Sequence, residues 1–352
     1  MNNIFINEYE YNEEEFDSDN NTKEKDTNKK ETNNTNKKDD KETNTNKKEE
    51  KETNKKEEKE EKKEDKEIIE VFPPIHSRLG KNKKIKRVIV LDFDETLGSF
   101  SHLYFLWKIS IKLYPEKGER AILFSLMDVY PEFLRVGILV ILEYLCHKKK
   151  QGECYKVFLY TNNQCPVDWI HHVIAYFHHK LGGGAEFILF DQIIYAFKIG
   201  NQIVNTQRTT QLKTYSDFIQ CSMLSKHAEI CFIDDLYHPL MYNTNNKVYY
   251  IKPKAYNHHL STNDIFDRFC EFIRRDNIQK ISLRDIKNEL AQYPVIKSSK
   301  EEKKIDILVS QKIMYYIREF FLIMPLKSNS SRQTIKRSSR TNASSKFTRK
   351  SY

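Results

Sequence analysis

Four consecutive aliphatic residues, Val88-Ile89-Val90-Leu91, run without interruption into Asp92-Phe93-Asp94-Glu95-Thr96-Leu97. Such a run suits a strand buried on both faces of a parallel sheet, and in parallel sheets chemistry gathers at the carboxyl ends of the strands. Side chains two residues apart on a strand point the same way, so Asp92 and Asp94 project into one crevice. Like charges held that close repel unless a metal ion or a shared proton relieves them. The pair therefore implies Mg²⁺, acid/base chemistry, or both.

The rest of the chain supplies partners for that strand. Tyr155–Tyr160, Glu186–Ile194, Ala228–Asp234 and Val248–Ile251 read as further strands. Helices are expected from Pro131 to Lys149, where Phe133, Leu134, Ile138, Leu139, Ile141 and Leu142 supply an apolar stripe, from Pro166 to Leu181 before Gly182-Gly183-Gly184, and over Thr214–Ser225. Three more close the domain at Thr262–Arg275, Ser282–Leu290 and Lys303–Leu322. The aromatic-rich stretch Gly98–Tyr130 reads as irregular, a hairpin or flap over the crevice. Strands alternating with helices predict an α/β fold, a doubly wound Rossmann-like parallel sheet with right-handed crossovers.

Composition limits which residues can join this fold. From Asp19 to Glu67 the chain of 352 residues has no aromatic or aliphatic side chain, only imperfect repeats such as Lys-Glu-Thr-Asn. Nothing there offsets the entropy of ordering, so residues 1–70 are expected to be disordered and residues 71–326 to form the folded domain. The net charge of +9 divides into about −8, +9 and +8 for residues 1–70, 71–326 and 327–352. The last segment lacks acidic residues and alternates Ser/Thr with Lys/Arg, the composition of a disordered basic tail. Such a tail suits nucleic-acid contact or a nuclear address as well as simple solubilisation. Six cysteines without metal-finger spacing read as reduced thiols. The N-terminus has no secretory pattern, and the apolar stretches fall short of the ~18–20 residues that span a bilayer. An intracellular protein of cytoplasm or nucleus, with no membrane partner, is expected.

Asp-x-Asp-x-Thr behind a hydrophobic strand resembles the signature of the haloacid dehalogenase-like phosphatases. The form Leu-Asp-x-Asp-Glu-Thr-Leu is similar to the branch that dephosphorylates the carboxy-terminal domain of RNA polymerase II, with the small CTD phosphatases and NLI-interacting-factor-like proteins. Many small-molecule members of the superfamily carry glycine where this chain has Glu95. The resemblance implies that Asp92 is a nucleophile forming an aspartyl-phosphate, and that Asp94 protonates the leaving oxygen and then deprotonates water. Thr161, after Val157-Phe158-Leu159-Tyr160, matches the family's second motif, which holds a phosphoryl oxygen. Lys213 in Gln211-Leu212-Lys213-Thr214 resembles the third, which neutralises nucleophile and phosphate. Asp234, after Ile230-Cys231-Phe232-Ile233, would complete an Mg²⁺ site with Asp92 and the Asp94 carbonyl, and Asp235 would bind through water or orient those ligands. Thr96, Asn162 and Arg208 are candidate substrate contacts, Arg208 weighed against an ordinary surface arginine. The resemblance covers roughly residues 85–275 and departs at Tyr130-Pro131, where relatives have Arg-Pro, and at Tyr-Thr-Asn, where they have Thr-Ala-Ser.

About 65 residues separate Thr96 from Thr161 and about 52 separate Thr161 from Lys213, which leaves no room for a large cap. An open crevice suits phosphoserine or phosphothreonine on a protein, docked against the aromatic residues of segment 100–115 unless those residues are core. Two alternatives are a polynucleotide or nucleotide phosphatase of the same superfamily, which needs a basic crevice, and a non-catalytic binding module, in which an aspartate of the first motif is expected to be lost.

Overall fold

The computed structural model describes residues 68–74, 86–182, 188–225, 227–242, 248–273, 282–293 and 299–322. The expected disordered segments, 327–352 and nearly all of 1–70, lie outside them. In chain order the elements are β1 (Ile69–Phe72), β2 (Arg87–Leu91), α1 (Ser101–Leu113), α2 (Glu119–Val129), α3 (Ile138–Lys150), β3 (Lys156–Tyr160), α4 (Val167–Lys180), β4 (Gln192–Ile194), and the short antiparallel pair β5 (Lys198–Ile199) and β6 (Gln202–Ile203). They continue with α5 (Tyr215–Ser222), β7 (Glu229–Ile233), β8 (Val248–Pro253), α6 (Thr262–Ile273), α7 (Leu283–Leu290) and α8 (Lys300–Leu322).

The fold is mixed α/β around one six-stranded sheet of order β1-β8-β7-β2-β3-β4. The strands are parallel except β1, which runs antiparallel to β8 at the edge. Ile69 and Glu70, placed by composition in the disordered segment, belong to that edge strand. Strand alternation divides the core in two. Ile89, Leu91, Val157, Leu159, Cys231 and Ile233 face a large apolar cluster shared with α1–α4 and α6–α8. Val88, Val90, Phe158, Tyr160, Ile230 and Phe232 face a smaller one with Phe218 and Cys221 of α5. Both faces of the central strands are therefore dry, which accounts for their unbroken apolar runs. Among the described residues no helix is long and apolar enough to cross a membrane, and the six cysteines are free thiols.

Three expectations need correction. Gly98–Tyr130 is not irregular: it holds α1 and α2, joined through Pro115. Its aromatic residues are largely core. Trp107 packs 5.2 Å from Trp169, its Nε1–H donates to Glu119 O at 2.9 Å, and Phe93 stacks on Phe100 at 4.6 Å. The segment shares the sheet's own apolar cluster instead of standing apart from it.

Pro131 starts only a short 3-10 turn, Pro131–Phe133, and α3 begins at Ile138. Between them the Arg135 N–H donates to Leu97 O at 3.0 Å, and Gly137 takes φ of +72°, a conformation that interrupts a helix. The strand expected over Glu186–Ile194 is paired only at Gln192–Ile194, and residues 186–187 lie outside those described.

Gly98 sits where the turn after β2 touches the segment before α3. A Cβ there would lie 2.5 Å from the Phe133 carbonyl oxygen, the same oxygen that accepts the Ser99 N–H at 2.8 Å. Backbone cannot yield as a side-chain end can. Gly98→Ala is expected to lower stability by about 1–3 kcal/mol in thermal or denaturant unfolding. Gly118→Ser, where an added Cβ meets nothing within 4 Å and the residue caps α2, is expected to stay within about 0.5 kcal/mol of wild type.

Candidate functional site

Strand β2 pairs with β3 on one side and β7 on the other, with Leu91 opposite both Leu159 and Ile233. The residues that follow each strand therefore emerge at one edge of the sheet. The ladder extends one step further, since Asp92 N–H donates to Ile233 O at 2.9 Å and Thr161 N–H to Ile194 O at 3.0 Å. Asp92, Thr161 and Asp234 are all buried there.

Lys213 joins them from the loop before α5. That helix is capped by Thr214, whose Oγ1 accepts the Asp217 N–H at 3.0 Å, while the Thr214 N–H donates to the Tyr160 hydroxyl at 3.2 Å. The preceding lysine is thereby turned inward. Its Nζ donates to Asp92 Oδ1 and, at 2.7 Å, to Asp234 Oδ2, with Lys213 only 3 % exposed. Burial alone would strip its proton, but the two carboxylates hold the ammonium above its ordinary range. One cation cannot satisfy both acids equally. Burial would raise Asp234, yet Lys213 and His238, whose Nε2 lies 3.2 Å from Asp234 Oδ2, keep it below the ordinary carboxylate value. Burial and the Asp234 charge push Asp92 well above it.

Asp235 completes the cluster: one ligand atom from each of Asp92, Asp234 and Asp235 lies within 4.8 Å of the others. The carboxylate of Asp94 is not part of that trio. Asn163 holds it, with Nδ2 donating to Asp94 Oδ1 and Oδ2 at 3.0 and 2.8 Å, while Asn163 Oδ1 accepts the Cys165 N–H at 2.7 Å and so fixes the amide's orientation. Burial raises the Asp94 carboxyl above its ordinary value against the pull of the Asn163 bond and the Lys213 charge. The Asp94 carbonyl accepts the Thr96 N–H at 2.6 Å within the turn.

The structure places the three candidate substrate contacts differently from the sequence reading. The Thr96 hydroxyl donates to Asp235 Oδ1 at 2.9 Å and accepts the Asp235 N–H at 3.1 Å, so it orients Asp235. Arg208 is not a surface arginine: it is 2 % exposed. Its guanidinium donates to Thr161 O, Asn162 Oδ1 and Tyr195 O from one nitrogen and to Gln211 O and Leu212 O from another, at 2.8–3.3 Å. It ties the Thr161 loop to the Lys213 loop, and it ties down the Asn162 side chain as well.

Two further residues escaped the sequence reading. Arg135 is buried and donates to Thr96 O, Glu95 O and Lys254 O at 2.7, 2.5 and 2.9 Å. Glu95 has φ of +52°, a left-handed backbone that costs a non-glycine residue about 1–2 kcal/mol. Its carbonyl, held by Arg135 and by the Tyr256 N–H at 2.8 Å, keeps the turn in that shape. The Glu95 carboxyl is itself pushed up to about 7 by burial and by Asp94 and Asp235. Asn163, whose amide holds the Asp94 carboxylate, is the second.

No family model matches the chain, and no curated protein matches it.

Arg208→Met is expected to leave five oxygen acceptors without their charged donor. A stability loss of about 2–4 kcal/mol in denaturant unfolding is the expected result. Arg208→Lys, which cannot span both loops with one fork, is expected to recover only part of it.

Proposed function

We propose that this chain is a phosphoric monoester hydrolase of the haloacid dehalogenase-like kind, working through an aspartyl-phosphate with Mg²⁺ and acting on phosphoserine or phosphothreonine in proteins, as the CTD phosphatases it resembles do. One observation carries the reading: Asp92, Asp94, Thr161, Lys213 and Asp234, which the motifs set far apart in sequence, meet at the carboxyl ends of β2, β3 and β7, with Lys213 on the proposed nucleophile.

The charges support a dication. Asp92, Asp234 and Asp235 carry three negative charges when ionised, and Lys213 returns one, leaving a deficit of two in a dry site. Burial first, and the Asp234 charge after it, push the Asp92 carboxyl up, and a bound cation would offset that charge. A donor set made only of oxygens suits a hard ion such as Mg²⁺. Asp92, Asp234 and Asp235 are the side chains that would hold it. Bound there, it would neutralise phosphate charge and favour the ionised form of Asp92.

The chain's own residues then divide the work. A carboxylate oxygen of Asp92 attacks phosphorus, the ester P–O bond breaks, and Asp94 gives its proton to the departing oxygen. Burial raises the Asp94 carboxyl, the direction that favours the proton this step needs. In the second half Asp94 takes a proton from water, the water oxygen attacks phosphorus, and the bond between phosphorus and the Asp92 oxygen breaks, which regenerates the Asp92 carboxylate and releases inorganic phosphate. Lys213 keeps Asp92 oriented and offsets charge on the phosphoryl oxygens. Arg208 fixes the loop that presents Thr161 to those oxygens.

Mg²⁺-dependent phosphate release from p-nitrophenyl phosphate and a phosphoserine peptide is the direct test. Asp92→Asn is expected to abolish it, Asp94→Asn to lower it about 10²–10⁴-fold, and chelation to remove it reversibly. Retention of full activity in Asp92→Asn would overturn the reading. The pH profile supplies a further check. Asn163 donates to the ionised form of Asp94, so Asn163→Ala raises the Asp94 pKa further. Because the first step needs Asp94 protonated, the alkaline limb of kcat/KM is expected to move to higher pH, with a lower maximum from the lost orientation.

A further inference from the structure

We propose that Leu236, Tyr237 and Leu240, with Leu212 on the neighbouring loop, form a docking strip for a bulky apolar side chain beside the phosphorylated residue of a protein substrate. The proposal rests on the phosphatase reading above and specifies its substrate.

These four residues are 62, 46, 52 and 57 % exposed, respectively. A single exposed leucine means little. Here four large apolar side chains occupy the two loops that carry the charged site. Leu212 precedes Lys213, and Leu236-Tyr237 follows Asp235. The loops are joined, since Leu240 O accepts the Tyr215 N–H at 3.0 Å.

The strip is also held rigidly. Leu236 N–H donates to Asp234 Oδ1 at 3.0 Å, Leu236 O accepts from the Tyr250 hydroxyl, and His238 N–H donates to that same hydroxyl oxygen at 3.1 Å. The Tyr237 ring stacks on Tyr250, with centroids 5.9 Å apart and planes 10° from parallel. With the backbone pinned on both sides of Leu236, its side chain is kept out of the core at little further ordering cost when something binds.

Chemistry then selects the occupant. No Lys, Arg, Asp or Glu occurs from Leu236 to Tyr242. The neighbouring phosphates of a polynucleotide would find no counter-charge there, whereas an apolar side chain gains by leaving water. Direction follows from the sheet. β7 and β3 lie on opposite sides of β2, so the strip borders the site on the β7 side and Asn162, Asn163 and Gln164 border it on the β3 side. An extended chain advances about 3.3 Å per residue, so the residues next to the phosphoresidue are the ones that reach the strip.

The test uses full-length Asp94→Asn protein with Mg²⁺ and two fluorescent phosphoserine peptides of equal length and charge, one with leucines flanking the phosphoserine and one with glycines. The leucine peptide is expected to bind about tenfold more tightly by anisotropy, and Leu236→Ser with Leu240→Ser in that background to bring the ratio near one. Equal binding, no binding of either peptide, or a ratio that survives the double substitution overturns the strip. So does tighter binding of a 5′-phosphorylated oligonucleotide, or a dimer in solution that those substitutions dissolve. Phosphate release by the wild type is read separately. Tight leucine-peptide binding without turnover removes the phosphatase reading alone, and turnover without preference for the leucine peptide removes the strip alone.

Discussion

The ammonium of Lys213, buried between Asp92 and Asp234, is the interaction on which the site's arrangement depends. A lysine enclosed this completely keeps its proton only because two carboxylates face it, and those carboxylates tolerate one another only because it is there. Nothing local to any one of the three elements enforces this. The carboxylates come from adjacent strands, so β2–β7 register sets their separation, while the lysine arrives on a loop whose conformation has to be imposed from outside. Thr214 capping α5, Tyr160 receiving the Thr214 N–H, and Arg208 gripping Gln211 O and Leu212 O impose it.

A second buried cation does comparable work for the turn after β2. Arg135 donates to the Glu95, Thr96 and Lys254 carbonyls, binding the turn to the segment after β8. Glu95 occupies a left-handed conformation that glycine would adopt freely, and the clamp on its carbonyl compensates for the missing freedom. The two arginines have the same logic. Carbonyl groups at strand ends have run out of ladder partners, and a planar guanidinium can satisfy several of them at once. Site rigidity therefore comes from side chain to backbone bonds, which no strand or helix pattern announces.

That explains which features were legible in the amino-acid sequence. The central strands were, because burial on both faces leaves an unbroken apolar run at Val88–Leu91, Val157–Tyr160 and Ile230–Ile233. The charged residues after those runs came together as their positions implied. Helix α1 is harder to read: Leu103, Leu106, Trp107 and Leu113 keep helical spacing, but the aromatic residues among them suit a hairpin as well. The edge strand β1 has no counterpart among the expected strands, because composition extends the disordered segment to residue 70 although Ile69 is core. Thr96, Arg208, Arg135 and Asn163 were misassigned or overlooked for one shared reason: each acts on a partner between 39 and 139 positions away. Sequence spacing carries no information about such pairs until the sheet order is known.

The placement of α1 and α2 bears on how the site is approached. An insertion after the first motif can fold over the crevice or fold into the body of the domain. Here Trp107, Leu123 and Leu126 join the same apolar cluster as Ile89 and Leu159, so the insertion thickens one side of the sheet. Among the described residues α1 and α2 belong to the body of the domain, so under the proposed function selectivity would rest with the loops at the strand ends. Those loops are unlike one another, amide-bearing after β3 and apolar after β7, and both are pinned by hydrogen bonds. Under the proposed phosphatase function, a rigid rim with two different chemistries would read what lies on either side of a phosphate, which a small free phosphate ester lacks and a phosphorylated segment of a protein has.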